Sequence, residues 1–147
     1  MCKYNFFLFK DLPSAWLCGV RVRDLNDKKC IISVRHNWFN SNPFKSLYWA
    51  VQGMASELAT GLAIIDFANK NSLNISMLVV SNESRFLKKA KGKIRFECDE
   101  VSKIKKTLLS LSKNKTTEKI KLKSTGYDES GGVVSEFIYE WSFKLKL

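Results

Sequence analysis

Between Asn42 and Asn71 the chain runs NPFKSLYWAVQGMASELATGLAIIDFANKN, and this stretch limits the possible folds more than any other. Leu47, Ala50, Val51, Met54, Leu58, Leu62 and Ile65 recur at helical spacing. Asn42 is a favoured N-cap, and Pro43 suits the first helical position, where its missing N–H costs nothing. The run Asn69–Asn74 stops the pattern. The spacing therefore predicts one helix over about residues 43–69, roughly 39 Å long. Its second half is apolar on nearly every side, so neighbours must cover most of it. Gly53, Ala55, Ser56, Ala59, Gly61 and Ala63 are small enough to let a sheet come close.

The rest of the chain supplies that sheet. Val20 and Val22, then Cys30, Ile32 and Val34, alternate on either side of a turn at Asn26 to Lys28, which predicts two strands. Further strands are predicted at Ile75 to Val80, extending toward Leu87, and at Lys93 to Cys98. A short amphipathic helix is expected over Val101 to Leu111. Ile120 to Tyr127 and Val133 to Leu145 read as a hairpin around DESGG. Tyr4 to Leu17 forms a short helical lead-in broken near Pro13. The expectation is an α+β fold: one domain over residues 1–147, its antiparallel sheet wrapped around the long helix.

Charge and residue counts narrow the function. Hydrophobic residues make up 45% of the chain, enough for a globular core. The apolar run ending at Phe9 is interrupted by Lys10 and Asp11, so neither a signal-peptide core nor a membrane span is expected, and cytoplasm is the default. Cys2, Cys18, Cys30 and Cys98 are scattered and His36 is the single histidine, so metal-ligand spacing is missing and reduced thiols are expected. His36, beside Arg35 at a strand end, reads as inert. The net charge of +11 attracts polyanions: nucleic acid, an anionic membrane, or a phosphate-rich molecule such as coenzyme A. No nucleic-acid motif accompanies it. Tyr139, Trp141 and Phe143 fall on alternate strand positions and read as core.

Glu57 stands in the middle of the helix among small and apolar residues. A charge there is costly unless it is paired or hydrogen-bonded. Glu57 is therefore either a structural carboxylate, bonded to a neighbouring segment or subunit, or a functional group in a cleft.

The pattern Asn42, Phe44, Ser46, Tyr48 at the helix start, and the stretch SNESRFLKKAKGKIRFEC, resemble the hotdog-fold superfamily of acyl-CoA thioesterases and dehydratases. The likeness spans about Gly19 to Lys144 and lies nearest a poorly characterised group of hotdog proteins described as thioesterases. Phenylacetyl-CoA thioesterase-like members carry an Asn, then His-Gly-Gly, then an acid. Here the Asn falls on Asn42 and the acid on Glu57, while Tyr48, Trp49 and Ala50 stand at His-Gly-Gly.

The resemblance implies thioester hydrolysis with Glu57 as general base or nucleophile, and no cofactor beyond the coenzyme A of the substrate. Backbone N–H groups around Ser46 to Trp49 are expected to receive the carbonyl oxygen. Asn42, Ser46, Tyr48 and Trp49 are the expected substrate contacts, with Asn42 as a plain helix cap the alternative. Arg85, Lys88, Lys89 and Lys91 suit coenzyme A phosphates, or form a solvated basic face. The resemblance also implies a homodimer joined through Ile75 to Ser81, and leaves open a tetramer of two dimers. A non-catalytic acyl- or lipid-binding hotdog module is the alternative function, with nucleic-acid binding third.

Overall fold

The structure, a computed structural model, describes residues 2–114 and 117–146. Helices α1 (Cys2–Asp11) and α2 (Pro13–Leu17) lead into strands β1 (Arg21–Leu25) and β2 (Cys30–Arg35). A 3-10 turn (Trp38–Asn40) precedes the long helix α3 (Trp49–Lys70). Then come β3 (Ile75–Phe86), β4 (Lys93–Cys98), α4 (Val101–Asn114), β5 (Glu118–Tyr127) and β6 (Val133–Leu145). Six antiparallel strands form one sheet in the order β1-β2-β4-β5-β6-β3. Helix α3 lies against β2, β4, β5 and β6, as the hotdog resemblance predicts.

The start of α3 differs from expectation. The helix begins at Trp49, not near residue 43, and Asn42 is not its N-cap. The Asn42 side chain is spent locally: Oδ1 accepts from the backbone N–H groups of Phe44 at 3.0 Å and Ser46 at 3.2 Å. Such local bonds offer the backbone an alternative to the helix. Lys45, at φ +57°, takes a left-handed conformation that no helix can absorb. Residues 42–46 thus form a closed turn, and Tyr48 occupies the N-cap position without a side-chain cap.

The sheet-facing side of α3 carries polar residues four apart, each answered by β6. Ser135 Oγ donates to Gln52 Oε1 at 2.8 Å, Ser56 Oγ and Tyr139 Oη share a 2.7 Å hydrogen bond, and Trp141 Nε1 donates to Thr60 Oγ1 at 3.0 Å. A buried polar group without a partner is expensive, so these bonds fix the helix in one register over the strand. Around them pack Ile32, Val34, Ile94, Phe96, Leu122, Phe137 and Phe143, with Ile104, Leu108 and Leu111 of α4 closing one end. Tyr139, Trp141 and Phe143 are core residues, as their alternation implied.

Strand β3 is an edge. Its inner residues Ile75, Met77 and Val79 pack against the core, while Leu78 and Val80 are exposed. None of the described helices is long and apolar enough to cross a membrane.

Candidate functional site

The two carboxylates of α3 meet opposite surroundings. Asp66, near the helix end, accepts a hydrogen bond from the Tyr4 hydroxyl of α1 and pairs with Lys70 at 2.8 Å. Burial, with Asp66 adding, raises the Tyr4 phenol to about 12. Glu57 has no such company: among the described residues its carboxylate meets no hydrogen-bond donor and no cation. Burial pushes its pKa above the ordinary value, so the proton is held more tightly than in water.

Glu57 lines a cleft of about 330 Å³, together with Trp49, Gly53, Val79, Asn82 and Tyr139. Trp49, Gly53 and Glu57 come from successive turns of one helix face, at i, i+4 and i+8. Val79 and Asn82 come from the edge strand β3, and Tyr139 from β6. Gly53 leaves room: a Cβ built there meets nothing within 4 Å. The Tyr139 hydroxyl, raised to about 12 mainly by burial, bonds Ser56 and the Gly53 carbonyl, and the nearby Glu57 charge adds to the shift.

Trp49 is also a wall of a larger, mostly apolar cleft of about 420 Å³ at the helix start. Asn42, Ser46, Tyr48 and Trp49 all line it, and so do Lys88 and Lys89. Four expected substrate contacts and two expected phosphate contacts therefore converge, with the catalytic candidate about two turns further along α3 in the adjoining cleft. Asn42 and Ser46 bond each other, Asn42 Nδ2 donating to Ser46 Oγ at 3.0 Å. Lys88 is held by Asp128 at 2.5 Å, and this lysine, followed by Ser130, keeps the Asp128 carboxyl far below the usual range. Lys89 Nζ stands 6.0 Å from the centre of the Phe44 ring.

The remaining two cations lie elsewhere. Arg85 faces Glu83 at 3.9 Å and lines a separate hollow with Lys123 and Glu136; Lys91 is exposed and outside the lining of either cleft. Arg85 belongs to β3, whereas Lys88, Lys89 and Lys91 lie in the connection between β3 and β4, so a basic run in sequence is split in space.

The expected carbonyl receptors are also narrowed. The Ser46 N–H bonds Asn42, the Leu47 N–H bonds Ala90 O at 2.8 Å, and the Tyr48 N–H bonds Asn40 O at 2.9 Å. The Val51 and Gln52 N–H groups both turn back to Tyr48 O. Trp49 and Ala50 sit in the first turn, where N–H groups have no partner within the helix. A helix start of this kind favours a partial negative charge.

Sequence reasoning missed Gly53, Val79, Asn82 and Tyr139 as walls around Glu57. The four-residue spacing from Trp49 through Gly53 to Glu57 was a usable signal for Gly53. No local signal links β3 or β6 to the site, because they reach it through the sheet order. His36 Nε2 bonds Ser41 Oγ at 2.9 Å within its own loop. Cys30 and Cys98 are buried partners across the β2–β4 ladder, and all four cysteines are free. Among the described residues no cluster of three or more His, Cys, Asp or Glu side chains is placed to hold a metal ion.

No protein-family profile matches the chain, and no curated protein matches it in sequence. Solved structures do match. A Pseudomonas aeruginosa protein of unknown function, described as a probable thioesterase, is similar at TM-score 0.83 and 19% identity, over 99% of this chain and 97% of that one. A Chlorobaculum tepidum protein of unknown function is similar at TM-score 0.84 and 12% identity, over 98% and 93%. A Staphylococcus aureus thioesterase with one glutamine changed to alanine is similar at TM-score 0.69 and 10% identity, over 90% and 98%. The same protein has been solved with a glutamate changed to alanine, fifteen positions after that glutamine. The chain shares the hotdog fold of these thioesterase-like neighbours.

Proposed function

We propose that this protein hydrolyses an acyl thioester, with coenzyme A as the thiol carrier, at the paired clefts along the start of α3. One observation carries the reading: Glu57 is a half-buried carboxylate on a cleft wall with no partner among the described residues, while the other carboxylate of the same helix is fully paired. Carboxylates whose pKa is raised by burial on a cleft wall concentrate at functional sites. The separation of Asn42 from Glu57 equals that of the glutamine and glutamate changed in the Staphylococcus aureus thioesterase, which adds support.

In this mechanism the thioester carbonyl oxygen lies against the Trp49 and Ala50 N–H groups, which stabilise the charge that develops there. Glu57 takes a proton from water as the hydroxide oxygen bonds to the acyl carbon. Collapse of the tetrahedral intermediate breaks the carbon–sulfur bond, and the Glu57 carboxyl returns its proton to the leaving thiolate. Attack by the Glu57 carboxylate itself on the acyl carbon, with the carbon–sulfur bond breaking to release the thiolate and water then cleaving the resulting anhydride to free the acid and restore Glu57, uses the same geometry. The apolar walls of the larger cleft hold the substrate, with Asn42, Ser46 and Tyr48 as contacts and Lys88 and Lys89 toward the phosphates, while Lys91 lies outside both clefts. Arg85, turned to another hollow, is left out of this set.

The active unit in this reading is a cytoplasmic homodimer joined along β3. A long edge strand with Leu78 and Val80 exposed beside unpaired backbone groups is a ready template for pairing with a second copy. A second reading, a non-catalytic acyl-binding module, is favoured by Tyr48, Trp49 and Ala50 at the positions where hotdog thioesterases of the phenylacetyl-CoA type carry His-Gly-Gly.

A panel of acyl-CoA substrates with a free-thiol readout, alongside tryptophan fluorescence to detect binding through Trp49, separates the two. Thiol release that disappears in Glu57→Ala supports hydrolysis. Saturable binding with no thiol release by either protein supports the binding module.

A further inference from the structure

The face of the sheet turned away from α3 gathers cations where β1, β2 and β4 run side by side. Arg35 and Lys93 are direct partners across the β2–β4 ladder, and Ser33 is flanked by Arg21 on one side and Arg95 on the other. The β1–β2 pairing shifts register between Val22 and Asp24, and Arg23 is the residue left over. Bulges of this kind re-aim a side chain. Here the Arg23 guanidinium folds over the strand pair, and its Nε donates to Ser33 Oγ at 2.7 Å. Arg23, Arg35, Lys93, Ser33 and Gly19 enclose a polar hollow of about 200 Å³.

The charges in this hollow are not balanced. Among the described residues Arg35 pairs with Glu129 alone, at 3.7 Å with both side chains mostly exposed, a weak arrangement, and Glu129 also accepts from the Lys93 backbone N–H at 3.4 Å. Arg21 is committed to the Trp16 ring at 3.5 Å and to two backbone carbonyls, and Arg95 to Glu97. Among the described residues, the side chains of Arg23 and Lys93 face no carboxylate. Like charges directly opposite on paired strands destabilise the pair. Ser33, only 2% exposed, accepts from Arg23, and its own hydroxyl proton has no acceptor among the described residues.

The geometry points to a second binding site on this outer face, taking a compact phosphate dianion. Two guanidinium forks match tetrahedral oxyanions, Lys93 adds a point charge, and the Ser33 hydroxyl supplies a donor at the floor. A second copy of the chain does not suit this face, because a two-fold contact sets the same cations against each other. A nucleic-acid strand is poorly served, because the nearby aromatics Trp16 and Tyr127 already lie under Arg21 and Arg95. The phosphate group belongs to a small phosphorylated molecule or to free phosphate, and both present the same dianion.

Calorimetric titration with inorganic phosphate and with glycerol phosphate, at fixed ionic strength, tests the site. Saturable one-to-one binding is expected, weakened about tenfold or more in Arg23→Gln and in Lys93→Gln. Glu57→Gln binds as the parent does. Tighter binding of glycerol phosphate identifies a phosphorylated small molecule, and equal or tighter binding of inorganic phosphate identifies the free ion. Without phosphate at low salt, Lys93→Gln melts at or above the parent temperature, because it relieves the Arg35–Lys93 repulsion. Binding that does not saturate, or that falls equally in the distant surface variant Lys121→Gln, overturns the assignment. So does tight binding of a single-stranded oligonucleotide that inorganic phosphate fails to displace.

Discussion

The two glycines of α3 should respond in opposite directions to the same substitution. Alanine in a helix interior is favoured over glycine by about 0.8–1 kcal/mol. At Gly53 nothing opposes that gain, since the added methyl meets no atom within 4 Å. Gly53→Ala is expected to raise the melting temperature by about 2–4 °C. At Gly61 the methyl meets the Trp141 ring at 3.2 Å and Glu57 Oε1 at 3.5 Å. The ring cannot swing away without losing its 3.0 Å bond to Thr60. Overpacking of this kind costs about 1–3 kcal/mol, so Gly61→Ala should be neutral to destabilising by about 2 kcal/mol. Denaturant unfolding of both variants beside the parent measures the difference. The same Gly53 methyl narrows the Glu57 cleft, so a more stable protein with slower thioester turnover is the expected combination. A Gly53→Ala protein as destabilised as Gly61→Ala refutes the open cleft beside Glu57.

Other perturbations follow from the same contacts. Thr60→Val strands the buried Trp141 indole N–H and should cost about 1–3 kcal/mol in denaturant unfolding, whereas Thr60→Ser keeps the acceptor and most of the stability. Ser124→Ala should be neutral or stabilising by up to about 1 kcal/mol, because the Ser124 hydroxyl is buried with no partner among the described residues. Stability should also depend on pH through Glu57. Burial raises its folded pKa, so the folded state binds the proton more tightly than the unfolded chain. This contribution is lost as pH rises from the ordinary carboxylate range through the folded value, and the cost is constant above it. Glu57→Gln should therefore be more stable than the parent at neutral pH, with the gap closing on acidification.

Much of the fold was legible because the chain is locally consistent. The apolar run of α3 and the alternation in β2, β4 and β6 each named their element, and the bounds of β4 and β6 agree residue for residue. The start of α3 was misplaced because Asn42 and Pro43 carry the signature of a cap, while Asn42 bonds Phe44 and Ser46 instead. That competition is decided by a few local hydrogen bonds and by Lys45 at positive φ, neither visible in residue type. Glu57 stood out as a charge without a partner in an apolar run. Its neighbours Val79, Asn82 and Tyr139 did not, because they reach it only through the pairing of β3 with β6 and the packing of α3 on the sheet. The basic hollow escaped for the same reason: Arg23, Arg35 and Lys93 come from three strands and meet through a bulge.

The most direct test of the account is the pH dependence of kcat/KM for hydrolysis of an accepted acyl-CoA by the parent and by Glu57→Gln. A general base held above the ordinary carboxylate pKa gives an acidic limb displaced to higher pH, and its removal lowers kcat/KM by about a hundredfold or more. A Glu57→Gln protein with the parent's rate and profile contradicts the central claim, whatever the fold.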